Sequence, residues 1–297
     1  MSYRYLLDYR ERNFLDSMGN QERFELLEEL LQQPPEATVW GAICDLFAIW
    51  PEEREKEEAL DYADAHLSDW DDALRQVSSS WNLLYSNGKI SSLGKLIRSI
   101  ELYRREENGD RELTCIADSP YFQNLKRLRI IRSEIYCGGC KALAHSPYLQ
   151  NLTHLEIHRS EWLQDDFTAL VNSSILESVT FLKLSQMDLK DEDVAALAHS
   201  PYLKNLTHLD LSLNRIEARD PKAIAQAPNF QKLKYLNLSS NRINDAGVRE
   251  LRQLSYLENL EELNICDNRL SQEGKDLLKR APQFQHTNIV FSYERTK

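Results

Sequence analysis

Hydrophobic positions in the last two thirds of the chain recur with one fixed period. The pattern L-x-x-L-x-L-x-x-N-x-L, with other aliphatic residues replacing some leucines, begins at Leu125, Leu152, Val179, Leu206, Leu233 and Leu260, every step being 27 residues. Ile97, Ile100 and Leu102 form a weaker copy upstream, and Ile289 and Phe291 look like a last, truncated strand. In each copy the second and third apolar residues are two apart, the strand period, so both point inward while their neighbours point out. Further on, Leu143, Leu170, Leu197, Ile224, Leu251 and Leu278 recur in phase. Cys140, Phe167, Val194 and Val248 stand three residues before four of them, which is helical spacing. Ser146-Pro147, Ser200-Pro201, Ala227-Pro228 and Ala281-Pro282 follow, where proline stops a helix and turns the chain. The predicted unit is strand, turn, helix, turn. Residues 145–157 and 199–211 are nearly identical and two repeats apart, as expected from duplication of a 54-residue pair.

These in-phase copies resemble leucine-rich repeats of the ribonuclease-inhibitor-like subclass, in which each strand is followed by a helix. The resemblance covers roughly residues 93–297, as six full repeats with a degenerate one at each end. It implies an α/β solenoid, and since the family is functionally diverse it names no ligand. The shape also follows from elementary dimensions. Strands stack about 4.8 Å apart, whereas helices need about 10 Å, so a parallel sheet must line the concave side and helices the convex side. Asn214, Asn241 and Asn268 fill the position after the strand, where a buried amide both donates to and accepts from the turn backbone. They are read as a structural ladder. Ser133, Ser160 and Met187 hold that place in earlier copies, so the ladder is incomplete and the middle of the array is expected to be less regular.

Residues 1–92 show no such repeat and read as an all-helical N-terminal region. Gln21–Leu31 carries its apolar residues on one face and ends at Pro34-Pro35. A second helix is expected near Ala37–Ile49, a third through Glu52–His66 after Pro51, and a fourth over Trp70–Val77. Trp40, Trp50, Trp70 and Trp81 are expected to supply much of its core, and Asn87-Gly88 is a turn signal at the junction. A solenoid exposes apolar ends that need capping, so the region is read as a cap for the first repeat or as an adaptor module.

Charge narrows the partners. The net charge is −11, and residues 1–95 hold 9 Lys and Arg against 19 Asp and Glu, so the acidity belongs to the N-terminal third. Such a balance argues against nucleic acid or an anionic membrane as the main partner, because both require a basic footprint. Charges interrupt the apolar residues of the first 16 positions, unlike a secretory signal, and no stretch has the roughly 18 apolar residues that span a bilayer. Five scattered cysteines form no disulfide framework. A cytoplasmic protein is expected, in which the sequons at Asn151, Asn172, Asn205 and Asn237 are incidental.

Little chemistry is visible. Cys137-Gly-Gly-Cys140 has the spacing of a redox or zinc hairpin, but Cys140 falls in the core column of Phe167 and Val194, and no second such pair exists. His154, Glu156 and His158 share one exposed strand face, with His208 two strands away, where partner contact is favoured over metal binding or proton transfer for want of a pocket. There is no phosphate loop, nucleophile elbow or zinc-protease motif, so the chain is read as non-enzymatic, with no cofactor and no metal.

What remains is a surface. Helices cover only one face of the sheet, and the other is left for a partner protein. The candidate contacts are Tyr103, Arg127, Arg129, Arg132, His154, Glu156, His158, Arg159, Phe181, Lys183, His208, Asp210 and Tyr235. Arg104, Arg127, Arg129, Arg132 and Arg159 lie toward the first strands and Glu261, Glu262 and Asp267 toward the last, so a partner with an acidic patch is expected at the N-terminal half. Aromatic residues and arginine most often dominate binding energy. The reading is a protein-binding scaffold. Its alternatives are a regulator of a partner enzyme, such as a GTPase-activator-like repeat protein, and a bacterial effector or host-interaction protein.

Overall fold

A computed structural model describes residues 17–51, 54–78, 85–86, 89–103, 109–132, 137–160, 164–218, 228–253 and 255–292. Trp81, Asn87, Gly88, Arg104, Ser133, Ile224 and Ala227, singled out above, lie outside the described residues. Among the described residues, the main sheet has nine strands in the order β1-β4-β5-β6-β7-β8-β9-β10-β11, and β2 (Tyr85–Ser86) pairs antiparallel with β3 (Lys89–Ile90). The chain divides into two compact units, Met1–Glu101 with Ser119–Arg127, and Leu102–Asp118 with Leu128–Lys297. No helix among the described residues is long and apolar enough to cross a membrane.

Among the described residues, the first unit is built on three helices. In α1 (Asn20–Leu31) the Glu22 carboxylate accepts from the Gly19 N–H at 2.8 Å, satisfying one of the orphan donors at the helix start. Helix α2 (Ala37–Ile49) buries Trp40, Ile43, Leu46 and Phe47 and stops at Trp50, whose extended backbone leads into Pro51. The third helix, α3 (Arg54–His66), carries Ala59, Leu60 and Ala63, all fully buried. The fourth helix expected over Trp70–Val77 is not formed. Instead β1 (Gln76–Ser78) pairs parallel with β4 (Ser99–Tyr103), Val77 opposite Ile100. Tertiary pairing of a β-branched residue here overrides a weak local helix preference. The side chain of Arg75, 2% exposed, fixes the turn before β1 by donating to Leu96 O (2.8 Å), Leu67 O (3.2 Å) and Asp64 Oδ1 (2.5 Å). Asp64 also receives Arg98 Nη2 at 2.6 Å.

The second unit is the repeat array. Strands β6 (His154–His158), β7 (Phe181–Ser185), β8 (His208–Asp210), β9 (Tyr235–Asn237), β10 (Glu262–Asn264) and β11 (Asn288–Val290) pair parallel in chain order. Leu155 stands opposite Leu182, Leu182 opposite Leu209, and Leu209 opposite Leu236. These leucines are at most 6% exposed, each contributing about 1.5–3 kcal/mol by burial. Between strands run α4 (Gly109–Ala117), α5 (Cys137–His145), α6 (Gln164–Val171), α7 (Asp191–Ala198), α8 (Asp245–Leu251) and α9 (Gln272–Lys279), turning Leu143, Leu170, Leu197, Leu251 and Leu278 into the core. Cys140 is fully buried among them.

Hydrogen bonds repeat with the same period. The hydroxyls of Ser146, Ser173 and Ser200 donate to Ala117 O, Ala144 O and Val171 O of the preceding repeat. The same oxygens accept the N–H two residues on, which starts the turn after each helix. Proline alone therefore does not end the helix; the serine before it also ties adjacent repeats. Thr207 Oγ1 donates to Thr180 O (3.0 Å) in the same manner.

Candidate functional site

Parallel, unshifted pairing places equivalent residues of successive repeats side by side, so the sheet face opposite the leucines is organised in rows. His154, Phe181, His208 and Tyr235 form the first row, all half-exposed. Their rings stack continuously, with centroids 5.4 Å apart for His154–Phe181, 5.9 Å for Phe181–His208 and 5.9 Å for His208–Tyr235, at interplanar angles of 20° to 27°. Aromatic cross-strand pairs stabilise a sheet. They also present a continuous ring-lined surface. Thr207 uses its single hydroxyl proton on Thr180 O, so its 2.9 Å contact with His208 Nδ1 requires the proton to sit on that ring nitrogen. Nε2 is then the acceptor of the neutral ring.

The second row consists of Glu156, Lys183, Asp210 and Asn237. Arg129 Nε stands 3.3 Å from Glu156 Oε2, and Lys183 Nζ stands 3.5 Å from Asp210 Oδ2. Charges here alternate across strands and neutralise each other. Asp210, Asn237 and Asn264 are nearly closed to solvent, each 7–8% exposed, because their side chains fold back to accept Ser212 N–H (2.9 Å), Ser239 N–H (3.0 Å) and Cys266 N–H (3.1 Å).

His158 heads the third row, its Nδ1 2.7 Å from Ser185 Oγ. Burial, then the positive charges of Lys183, Arg132 and Arg159, hold its pKa below the ordinary histidine value, with Asp210 acting in the opposite sense. Ser185 is 1% exposed, which denies this Ser–His contact the access a nucleophile needs. Arg132 and Arg159 sit just beyond their strands, exposed, at φ 50° and 54°.

Of the remaining residues expected at the face, Tyr103 closes β4 and is 43% exposed. Arg127 opens β5 (Arg127–Ile131) in the first unit; its Nε is buried and makes no hydrogen bond among the described residues. The Asn214 amide donates to Leu184 O (2.8 Å), Leu211 O (2.9 Å) and Ser212 O (3.2 Å) and accepts from Met187 N–H and Leu189 N–H. Asn241 and Asn268 repeat this pattern one and two repeats later. Among the described residues no group of His, Cys, Asp or Glu has the arrangement of a metal site.

Residues 202–225 and 231–251 match the family model described as Leucine Rich repeat. Together with the strand and helix order, this gives the chain the fold of a leucine-rich-repeat solenoid. No curated protein matches it. Among solved structures it is similar to an internalin from Listeria monocytogenes, at 17% identity and a TM-score of 0.41, over 69% of this chain and 58% of that one. The chain thus spans less than two thirds of that protein's length.

Proposed function

We propose that the chain is a protein-binding scaffold of the ribonuclease-inhibitor-like kind, holding its partner on the sheet face that carries the ring row. The observation that carries this reading is the row itself. Four stacked rings on four successive strands remain half-exposed on a parallel sheet, a structure that ordinarily has both faces covered. Rings held rigid by their neighbours give up little conformational entropy on binding, so their burial converts efficiently into affinity. On this reading residues 93–297 are the binding array, concave on the strand side. Residues 1–92 are its cap or an adaptor. A cytoplasmic setting belongs to the same reading, since five thinly scattered cysteines suit a reducing compartment.

The test is affinity capture with quantitative mass spectrometry, using the wild-type chain and a Phe181→Ala/His208→Ala/Tyr235→Ala variant whose folding is checked by denaturant titration. Specific interactors are expected with the wild type and depleted with the variant. Equal recovery of every interactor by a folded variant overturns the reading.

A further inference from the structure

Surface charges one repeat apart in the second unit are, as a rule, complementary. Arg129 meets Glu156 at 3.3 Å, Lys183 meets Asp210 at 3.5 Å, Asp188 meets Arg215 at 2.9 Å and Lys234 meets Glu261 at 2.8 Å, each pair being separated by one 27-residue unit. Arg132 and Arg159 break this rule. They too are one unit apart, and their backbones are laced into adjacent strands, Arg132 N–H donating to His158 O (2.9 Å) and Arg159 N–H to Ser185 O (3.0 Å). Both side chains are exposed, and neither has an ion-pair or hydrogen-bond partner among the described residues. Lys183 and His158 lie beside them, and the lowered pKa of His158 registers all three cations at one ring. Among the described residues, the carboxylates of the neighbouring row are engaged, Glu156 by Arg129 and Asp210 by Lys183. Like charges facing across neighbouring strands cost stability. Folding gains nothing from them, and an outside anion would complete the pattern.

Resting on the binding reading above, we propose that Arg132 and Arg159 recognise the carboxylates of an acidic peptide segment in the partner protein, whose neighbouring apolar side chain lies on the ring row. The dimensions suit such a segment. His154 and His158 mark the two rows on one strand, four residues or about 13 Å apart, so an extended peptide spans from the cations to the rings in about four residues. Adjacent strands lie about 4.8 Å apart, which puts the two guanidinium groups within reach of one carboxylate or of two nearby ones, each suited to bidentate contact. A nucleic acid fits less well. It requires a broad basic footprint, whereas the two arginines occupy two repeats of a chain with net charge −11.

The experiment uses the full chain and a fluorescein-labelled peptide carrying two adjacent glutamates and, four residues on, a phenylalanine, read by anisotropy. Controls are the same peptide with glutamines, a single-stranded RNA oligonucleotide and vesicles of anionic phospholipid. The glutamate peptide is expected to bind with an affinity that falls as salt rises, and the glutamine peptide more than about tenfold more weakly. Arg159→Glu is expected to lose the peptide while its thermal midpoint holds or rises, since the exchange restores the complementary pattern with Arg132. Any one of three results overturns the proposal: no binding at millimolar peptide, equal binding by Arg159→Glu, or preference for the RNA or the vesicles. The binding reading is judged separately. If captured partners are lost with the ring-row variant but kept by Arg159→Glu, the face binds protein and the acidic-segment proposal is wrong.

Discussion

Strands β6 and β7 run five residues each, whereas β8, β9 and β10 run three, although the buried leucines that anchor all five keep one spacing. The difference lies in the middle-row residue. In β6 and β7 it is Glu156 and Lys183, long side chains whose charges reach a neighbouring strand. In the later strands it is Asp210, Asn237 and Asn264, short enough to accept the N–H two residues ahead and bend the chain out of the regular strand. Immediately afterwards come Asn214, Asn241 and Asn268, which satisfy the turn carbonyls. Ser160 and Met187 occupy that place in the earlier strands, and Ser160 Oγ is buried with no hydrogen-bond partner among the described residues. The later half closes its polar groups on itself. In the earlier half, where the exposed arginines also lie, the Ser160 hydroxyl has no such partner among the described residues.

Removing a ladder amide should have the largest effect. Asn241 donates to Leu211 O, Leu238 O and Ser239 O at 2.9–3.2 Å and accepts Ile216 N–H at 3.0 Å. Asn241→Ala strands these buried groups and is expected to cost about 3 kcal/mol in a urea titration. A loss below about 1 kcal/mol would mean that water or relaxed geometry replaces the amide, and that the two halves differ less than their hydrogen bonds indicate.

Adding an amide to the earlier half is the converse. Ser160→Asn puts a ladder residue where the hydroxyl is unsatisfied and is expected to gain about 1 kcal/mol, read as a higher thermal midpoint. A lower midpoint would show that this turn lacks room for the amide. The backbone offers a smaller gain shared by both halves. The residue before each ladder position has positive φ, from 50° at Arg132 to 58° at Leu213, and none of the six is glycine. Leu213 is 48% exposed, so Leu213→Asn loses little packing while easing a left-handed conformation, for an expected gain of under about 1 kcal/mol.

Much of this was legible beforehand, because burial repeats with the leucines. The strand positions and the helix column follow from that period, whereas Asp210 and Ser185, outward by the same period, are closed to solvent. The ring stack did not follow from it. His154, Phe181, His208 and Tyr235 read as separate outward residues until unshifted parallel pairing set them side by side. Strand length was also invisible to periodicity, since it depends on whether Asp210 or Glu156 has the shorter side chain. The helix expected at Trp70–Val77 failed for a related reason: Val77 is claimed by a strand more than 20 residues away, with Ile100 opposite it.

The smallest expected effect is electrostatic and belongs to the earlier half alone. His158 is held below its ordinary pKa in the folded chain by burial and by Lys183, Arg132 and Arg159. Above the unfolded value of about 6.5 the ring is neutral in both states and contributes no pH dependence. As pH falls through that value the unfolded chain takes up the proton first, so stability declines, and the decline ends only below the folded pKa. His158→Gln removes this component, and its stability should fall less than that of the wild type between pH 7 and pH 5. If His158→Gln instead follows the wild-type profile, the positive potential around this ring does not bear on stability, and the asymmetry between the halves is one of hydrogen bonding alone.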